Sequence, residues 1–157
     1  MPHTAPPGHI ADLIAALEAL PSRARLSDAN TEFMYAFAYQ LVTQGHFDKA
    51  DRYFSILTLY RPTTVKFLAG AALCHKMLKR HQAAVNVYSF MASIEPQEPE
   101  HLLCAAECLL QQGKTQQASE TVALVVRFCQ ENPGHEQTAL RAKAIAALLS
   151  AQVSHAA

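Results

Sequence analysis

The chain has 157 residues, half of them hydrophobic, with 28 alanines, five glycines and no tryptophan; this favours close-packed helices, as one domain or a stack of repeated units, over a β-sandwich or barrel. Thirteen basic residues balance thirteen acidic ones, so no net field draws nucleic acid or an anionic membrane, and no apolar run approaches the roughly 20 residues of a membrane span. Four cysteines give no disulfide framework and suit a reducing cytoplasm, and Met1 to His9 lack the basic-then-apolar order of a secretory signal.

Residues 1–30 read as a flexible start, an amphipathic helix and a linker. The first eight residues, like the last few of the chain, are expected to be disordered. Ile10, Leu13, Ile14, Leu17 and Leu20 then form one stripe of a helix over 10–20 that Pro21 closes. Within the linker Ser22–Asn30, Ser27 or Asp28 can cap the next helix. From residue 31 a period of 34 sets in. Ala38, Ala72 and Ala106 keep that interval, as do Ala50, Ala84 and Ala118, and Pro62 and Pro96. Phe54, Tyr88 and Val122 follow the late alanines by four; Met34, Leu68 and Leu102 precede the early ones by four. Small residues at fixed points let two helices approach, and large ones fill the gap between them. The repeats fall at 31–64, 65–98 and 99–132. Turns are expected at Gln44-Gly45-His46, Lys79-Arg80-His81 and Gln112-Gly113-Lys114. After Asn132-Pro133-Gly134, residues 133–157 supply a capping helix over 136–152 and a tail, with Leu140, Ala144, Ala147, Leu148 and Ala151 toward the stack.

A 34-residue helix–turn–helix period resembles the tetratricopeptide repeat. The fold class is therefore all-α: three tandem tetratricopeptide-like helical hairpins between an N-terminal helix and a C-terminal capping helix. The repeats are degenerate, without the usual tryptophan and without the late proline in the third. Hairpins of this kind stack into a curve whose first (A) helices line the concave side. Positions 2, 5, 9, 12 and 13 of each A helix usually face that groove. They are Glu32, Tyr35, Tyr39, Val42 and Thr43, then Lys66, Ala69, Leu73, Lys76 and Met77, then Glu100, Leu103, Glu107, Leu110 and Gln111. Tyr35 and Tyr39 share a face and offer apolar area with a hydrogen-bonding tip. An extended peptide suits this lining; a phosphate or an acidic tail calls for an arginine or lysine cluster. The plainer alternative makes the tyrosine pair ordinary core. Phe33, Phe37, Phe54, Phe67 and Tyr88 are assigned to packing.

Some stretches carry a narrower likeness. The segment His101–Gly113, with its Ala105-Ala106-Glu107-Cys108-Leu109 run before a glycine turn, resembles the third-repeat helix of the class II (translocator) chaperones of bacterial type III secretion. Phe54–Tyr60, Val85–Ala92 and Val125–Cys129 are similar to the second helices of that family's repeats, in order and in register over about 27–150. The resemblance implies a cytoplasmic chaperone that holds an extended N-terminal segment of hydrophobic, pore-forming translocator proteins in its groove before export. It also implies self-association through the N-terminal helix and, for some members, co-regulation of secretion genes. Tyr35 and Tyr39 match aromatic groove positions of the family, whereas Val42 stands where many members have a further tyrosine.

Two other classes compete. An enzyme needs a nucleophile, base and orienting group converging in a cleft, and the chain has no Gly-x-Ser-x-Gly, phosphate loop or HExxH motif. Cys74 and His75 are neighbours in sequence, about 100° apart on a helix. His101, Cys104 and Cys108 lie on one helix face at zinc-ligand spacing, but cysteine is also a small buried hydrophobe and no fourth ligand is evident. No catalytic residue, metal or cofactor is expected. A different repeat adaptor or a needle-subunit chaperone is the remaining alternative.

Overall fold

A computed structural model describes residues 7–21 and 25–155. Among the described residues there are eight helices and no strand: α1 (Pro7–Glu18), α2 (Asp28–Thr43), α3 (Phe47–Tyr60), α4 (Val65–Met77), α5 (His81–Ile94), α6 (Pro99–Gln111), α7 (Thr115–Glu131) and α8 (Glu136–His155). Helices α3, α5 and α7 begin at Phe47, His81 and Thr115, and α4 and α6 at Val65 and Pro99, so the period of 34 is a structural one. The chain divides into two compact units, Met1–Lys79 and Arg80–Ala157. The division falls between the two helices of the second repeat.

Local chemistry sets the boundaries. The Ser27 hydroxyl accepts from the Asn30 amide at 3.2 Å and starts α2. Pro62 and Pro96 lie just past the ends of α3 and α5. The three inter-helix turns pass through left-handed residues at Gly45 (φ 77°), Lys79 (φ 58°) and Gly113 (φ 72°); at Lys79 a side chain occupies the place that glycine fills twice. Helix α1 starts and stops earlier than the sequence suggests, with Ala19 in its closing turn and Pro7 and Gly8 already helical. Residues 1–6 and 156–157, the remainder of the expected disordered ends, lie outside the described residues.

In the first unit α2 and α3 form a hairpin and α4 packs on α3. Its core joins Ala38 and Leu41 of α2, Ala50, Phe54 and Leu57 of α3, and Phe67, Ala71 and Cys74 of α4. Arg61 ties the linker to α3, donating to the Leu26 carbonyl at 3.0 Å and to Asp28 at 2.8 Å. Thr63 donates to Glu18 of α1 at 3.1 Å. Phe54 and Phe67 are buried as expected. Phe33 and Phe37 are not packing residues: Phe33 is 74% exposed and Phe37 40%. Both lie on the side of α2 away from α4, where the Tyr53 ring packs against Phe37 at 5.1 Å.

In the second unit α5 packs on α6, α6 and α7 form a hairpin, and α8 packs on α7. Leu103, Ala106, Val122, Val125 and Ala142 make its core. Two expectations fail here. Leu103, expected in the groove, is fully buried, because α8 closes over it with Ala142. The face of α8 toward the core is also the opposite of the one expected. Thr138, Ala142 and Leu149 are buried with Ile145 and Ala146 beside them, while Leu140 is 72% and Leu148 68% exposed. Helix α8 has two apolar stripes on opposite sides, so periodicity alone does not choose between them. Polar contacts do. Arg141, on the flank, pairs with both Glu100 and Glu107, and the Thr138 hydroxyl donates to Glu100 at 2.9 Å.

Candidate functional site

Within the first unit α2 and α4 leave a cleft of about 290 Å³ lined by Tyr35, Tyr39, Val42, Phe54, Lys66, Ala69, Gly70 and Leu73. Six of the residues singled out from the sequence thus meet in one place. Helical spacing puts them there: Tyr35, Tyr39 and Val42 follow one side of α2, and Lys66, Ala69 and Leu73 one side of α4.

Tyr35 is half-buried and forms one wall. Its ring centroid lies 5.5 Å from Phe67 and 6.3 Å from Phe54 and Tyr39. Part of the plainer reading therefore holds for Tyr35, which props the core while one edge faces the cleft. Tyr39 is 57% exposed at the mouth. The floor is the Phe54 ring against Gly70. A Cβ at residue 70 would lie 2.2 Å from that ring, so only glycine lets the aromatic face reach the α4 backbone. Sequence reasoning assigned Phe54 to packing and passed over Gly70. The available signal was a glycine inside a helix, costing about 1 kcal/mol against alanine and calling for a packing reason.

Lys66 is the charged member. Its ammonium donates to Glu32 at 2.6 Å and sits 4.8 Å above the Tyr35 ring. The cation is thereby held at the rim while the floor stays apolar. Lys76 and Met77 continue along α4 beyond the cleft lining, Lys76 half-buried and Met77 half-exposed. In the second unit Glu107 is tied to Arg141 and Leu110 is half-buried. A larger hollow of about 550 Å³, lined by Phe37, Leu41, Lys49, Arg52, Tyr53 and Ile56, lies on the other side of the first unit's hairpin and had no role in the sequence reading.

The candidate metal ligands separate. His101 pairs with Glu95 at 2.9 Å, the Cys104 thiol donates to Glu100 at 3.6 Å, and Cys108 is buried near Tyr88. Among the described residues no group of three histidine, cysteine or acidic side chains gathers to hold an ion. Nor is any described helix long and apolar enough to cross a membrane.

No protein-family model matches the chain. Known proteins do. Low calcium response locus protein H of Yersinia pseudotuberculosis is 25% identical over 116 residues, 74% of this chain and 69% of that protein. Chaperone protein SicA of Salmonella typhimurium is 27% identical over 112 residues, 71% of this chain and 64% of its own length. Among solved structures, PcrH in complex with the chaperone binding region of PopD is 28% identical, covers 81% of this chain and 96% of that one, and superposes with a TM-score of 0.73. The chain is similar in sequence and in fold to the class II translocator chaperones of type III secretion. Its tetratricopeptide-type helices match those of PcrH across nearly the whole of the PcrH chain.

Proposed function

We propose that this chain is a bacterial cytoplasmic chaperone that holds an extended N-terminal segment of a hydrophobic, pore-forming translocator in the α2–α4 cleft and keeps the client from aggregating until secretion. One observation carries the reading. Six side chains chosen from repeat geometry converge on an apolar cleft with one tethered cation, in a chain related to a protein seen with the chaperone binding region of PopD. Exposed apolar stretches of a pore former associate if left free, and a cleft this narrow can take one or two large aliphatic side chains of a strand lying across it.

Lys66 suits a backbone carbonyl or a carboxylate beside those anchors, because releasing Glu32 exchanges one exposed ion pair for another at little cost. Each anchor contributes roughly 1.5–3 kcal/mol by burial, less the cost of ordering the strand. The result is firm but reversible binding. The role is one of binding rather than catalysis. Self-association through α1, where Leu13 is exposed, belongs to the same reading; so does co-regulation of secretion genes. Co-expression with the N-terminal segment of a translocator tests it. Stable co-purification that is lost with Leu73→Glu supports the proposal, and a client retained by that variant overturns it.

A further inference from the structure

The side of α2 away from α4 is a docking place that the repeat leaves open. Three columns of period 34 define it: Phe33, Phe67 and His101; Phe37, Ala71 and Ala105; Gln40, Cys74 and Cys108. On α4 and α6 these positions are buried or half-buried, because α3 packs on α4 and α5 on α6. On α2 all three are exposed. Equivalent positions of a solenoid meet equivalent neighbours, so the neighbour that α2 lacks is a helix. Beside the three residues opens the hollow of about 550 Å³, where Phe37 and Leu41 of α2 meet Tyr53 and Ile56 of α3 and where Lys49 and Arg52 form the α3 rim. Helix α1 is not the missing neighbour, since Phe33 and Phe37 stay exposed in its presence. Helices α3 and α5 end at Tyr60 and Ile94, 34 residues apart, so a helix before them on the same period would end at residue 26. Instead α1 stops at Glu18, and the Leu26 carbonyl accepts from Arg61 in the linker.

We infer that this place docks an amphipathic helix of another protein, one whose apolar stripe is flanked on one edge by two carboxylates three or four residues apart. Charge selects that occupant. Among the described residues Lys49 and Arg52 hold no carboxylate, whereas Arg61 pairs with Asp28 and Lys66 with Glu32 in the same unit. Asp48, exposed one turn before Arg52, does not line the hollow and leaves the rim with a net positive charge. Lys49 and Arg52 lie three residues apart on α3, so two carboxylates at helical spacing on the partner reach both. The end helices of a second copy do not supply them. Asp12 and Glu18 of α1 are six residues apart, about 240° around the helix, and fall on different flanks. Helix α8 sets Glu136 against Arg141 and Lys143. The apolar floor supplies the affinity, while ion pairs at an exposed rim set preference and salt dependence. The α2–α4 cleft lies on the other side of the hairpin, so both places can be filled at once.

Two fluorescent, stapled peptides of about five helical turns test the inference on the full chain. Both carry the same leucine stripe, edged by a pair of glutamates in the first and a pair of lysines in the second, at the spacing of Lys49 and Arg52. Fluorescence anisotropy should show the glutamate peptide binding at least about tenfold tighter at low salt, with the gap closing in about 0.5 M salt. Lys49→Glu with Arg52→Glu should reverse the preference, which a structural role for these exposed side chains would not do. Phe33→Ser with Phe37→Ser should weaken both peptides alike. Leu73→Glu, which disables the α2–α4 cleft, should leave both affinities unchanged, so that failure of the cleft reading and failure of this one are told apart. Absence of binding, equal binding of the two peptides, a preference that survives the charge reversal, or loss of binding with Leu73→Glu overturns the inference. A photocrosslinker at residue 33 carries the test into intact cells. An adduct with another protein whose mapped helix bears the carboxylate pair supports the inference, and one that joins only two copies of this chain overturns it.

Discussion

Replacing Gly70 by alanine is the sharpest test of how the cleft floor is built. In a helix interior with free space, Gly→Ala stabilises by about 1 kcal/mol. Here the added Cβ would lie 2.2, 2.3 and 2.6 Å from three atoms of the Phe54 ring, against ordinary contacts of about 3.5–4.0 Å. The ring is buried on all sides and wedged edge-on against Tyr35, so it must move by more than an ångström or tilt into the cleft. Overpacking of this kind costs about 1–3 kcal/mol. The net effect is destabilisation of up to about 2 kcal/mol, or a melting temperature lower by a few degrees at about 2–4 °C per kcal/mol for a chain of this size. Urea unfolding of Gly70→Ala, Phe54→Leu and the double variant reads the term directly. With the ring removed, Gly70→Ala should revert to neutral or stabilising, a coupling of about 1–3 kcal/mol. A Gly70→Ala chain that is more stable by the full propensity gain, with or without Phe54, would refute the reasoning.

Leu73→Glu should weaken binding of a translocator segment by at least about tenfold in titration calorimetry, since one anchor of roughly 1.5–3 kcal/mol is replaced by a charge. Because Leu73 is already 37% exposed, its melting temperature should stay within about 2 °C of the parent chain. Arg141→Met should cost about 1 kcal/mol or less, as its two carboxylate partners are partly solvated, and hydrogen exchange should show the loss confined to α8. The protein should also lose stability in mild alkali. Burial first, and then the Asp51 carboxylate, pushes the Cys74 thiol from 9.0 up to about 11. The folded thiol keeps its proton where the unfolded one gives it up, so stability is intact below pH 9 and falls between 9 and 11, by up to about 1.4 kcal/mol per pH unit for this group. Burial raises the Tyr88 hydroxyl too and adds in the same direction. Urea midpoints from pH 7 to 10.5 check this, and Cys74→Ala should flatten the decline.

Most of the fold could be read from the period. Alanine columns locate helix contacts because only small residues permit the approach, and Ala38, Ala50, Ala84, Ala106 and Ala118 are all fully buried. The cleft was legible for the same reason, as repeat positions fix which side of α2 and α4 a residue takes. The end helices were harder. For α8 two apolar stripes compete, and the choice depends on Arg141 reaching carboxylates 41 and 34 residues away, which no local pattern announces. Leu103 went into the core with it. Phe33 and Phe37 look like core by type, yet Phe33 faces outward and Phe37 is covered only in part, with Tyr53 of α3 against its ring. The Phe54–Gly70 contact required knowing that α3 and α4 pack as closely as they do.

A photocrosslinking amino acid at residue 39, at the mouth of the cleft, tests the central claim inside the bacterium. Irradiation of intact cells followed by mass spectrometry should join residue 39 to the N-terminal region of a translocator, and the same probe at the exposed Leu124 of α7 should not. Equal capture at both positions, or a residue-39 adduct with some other class of protein, would contradict the account.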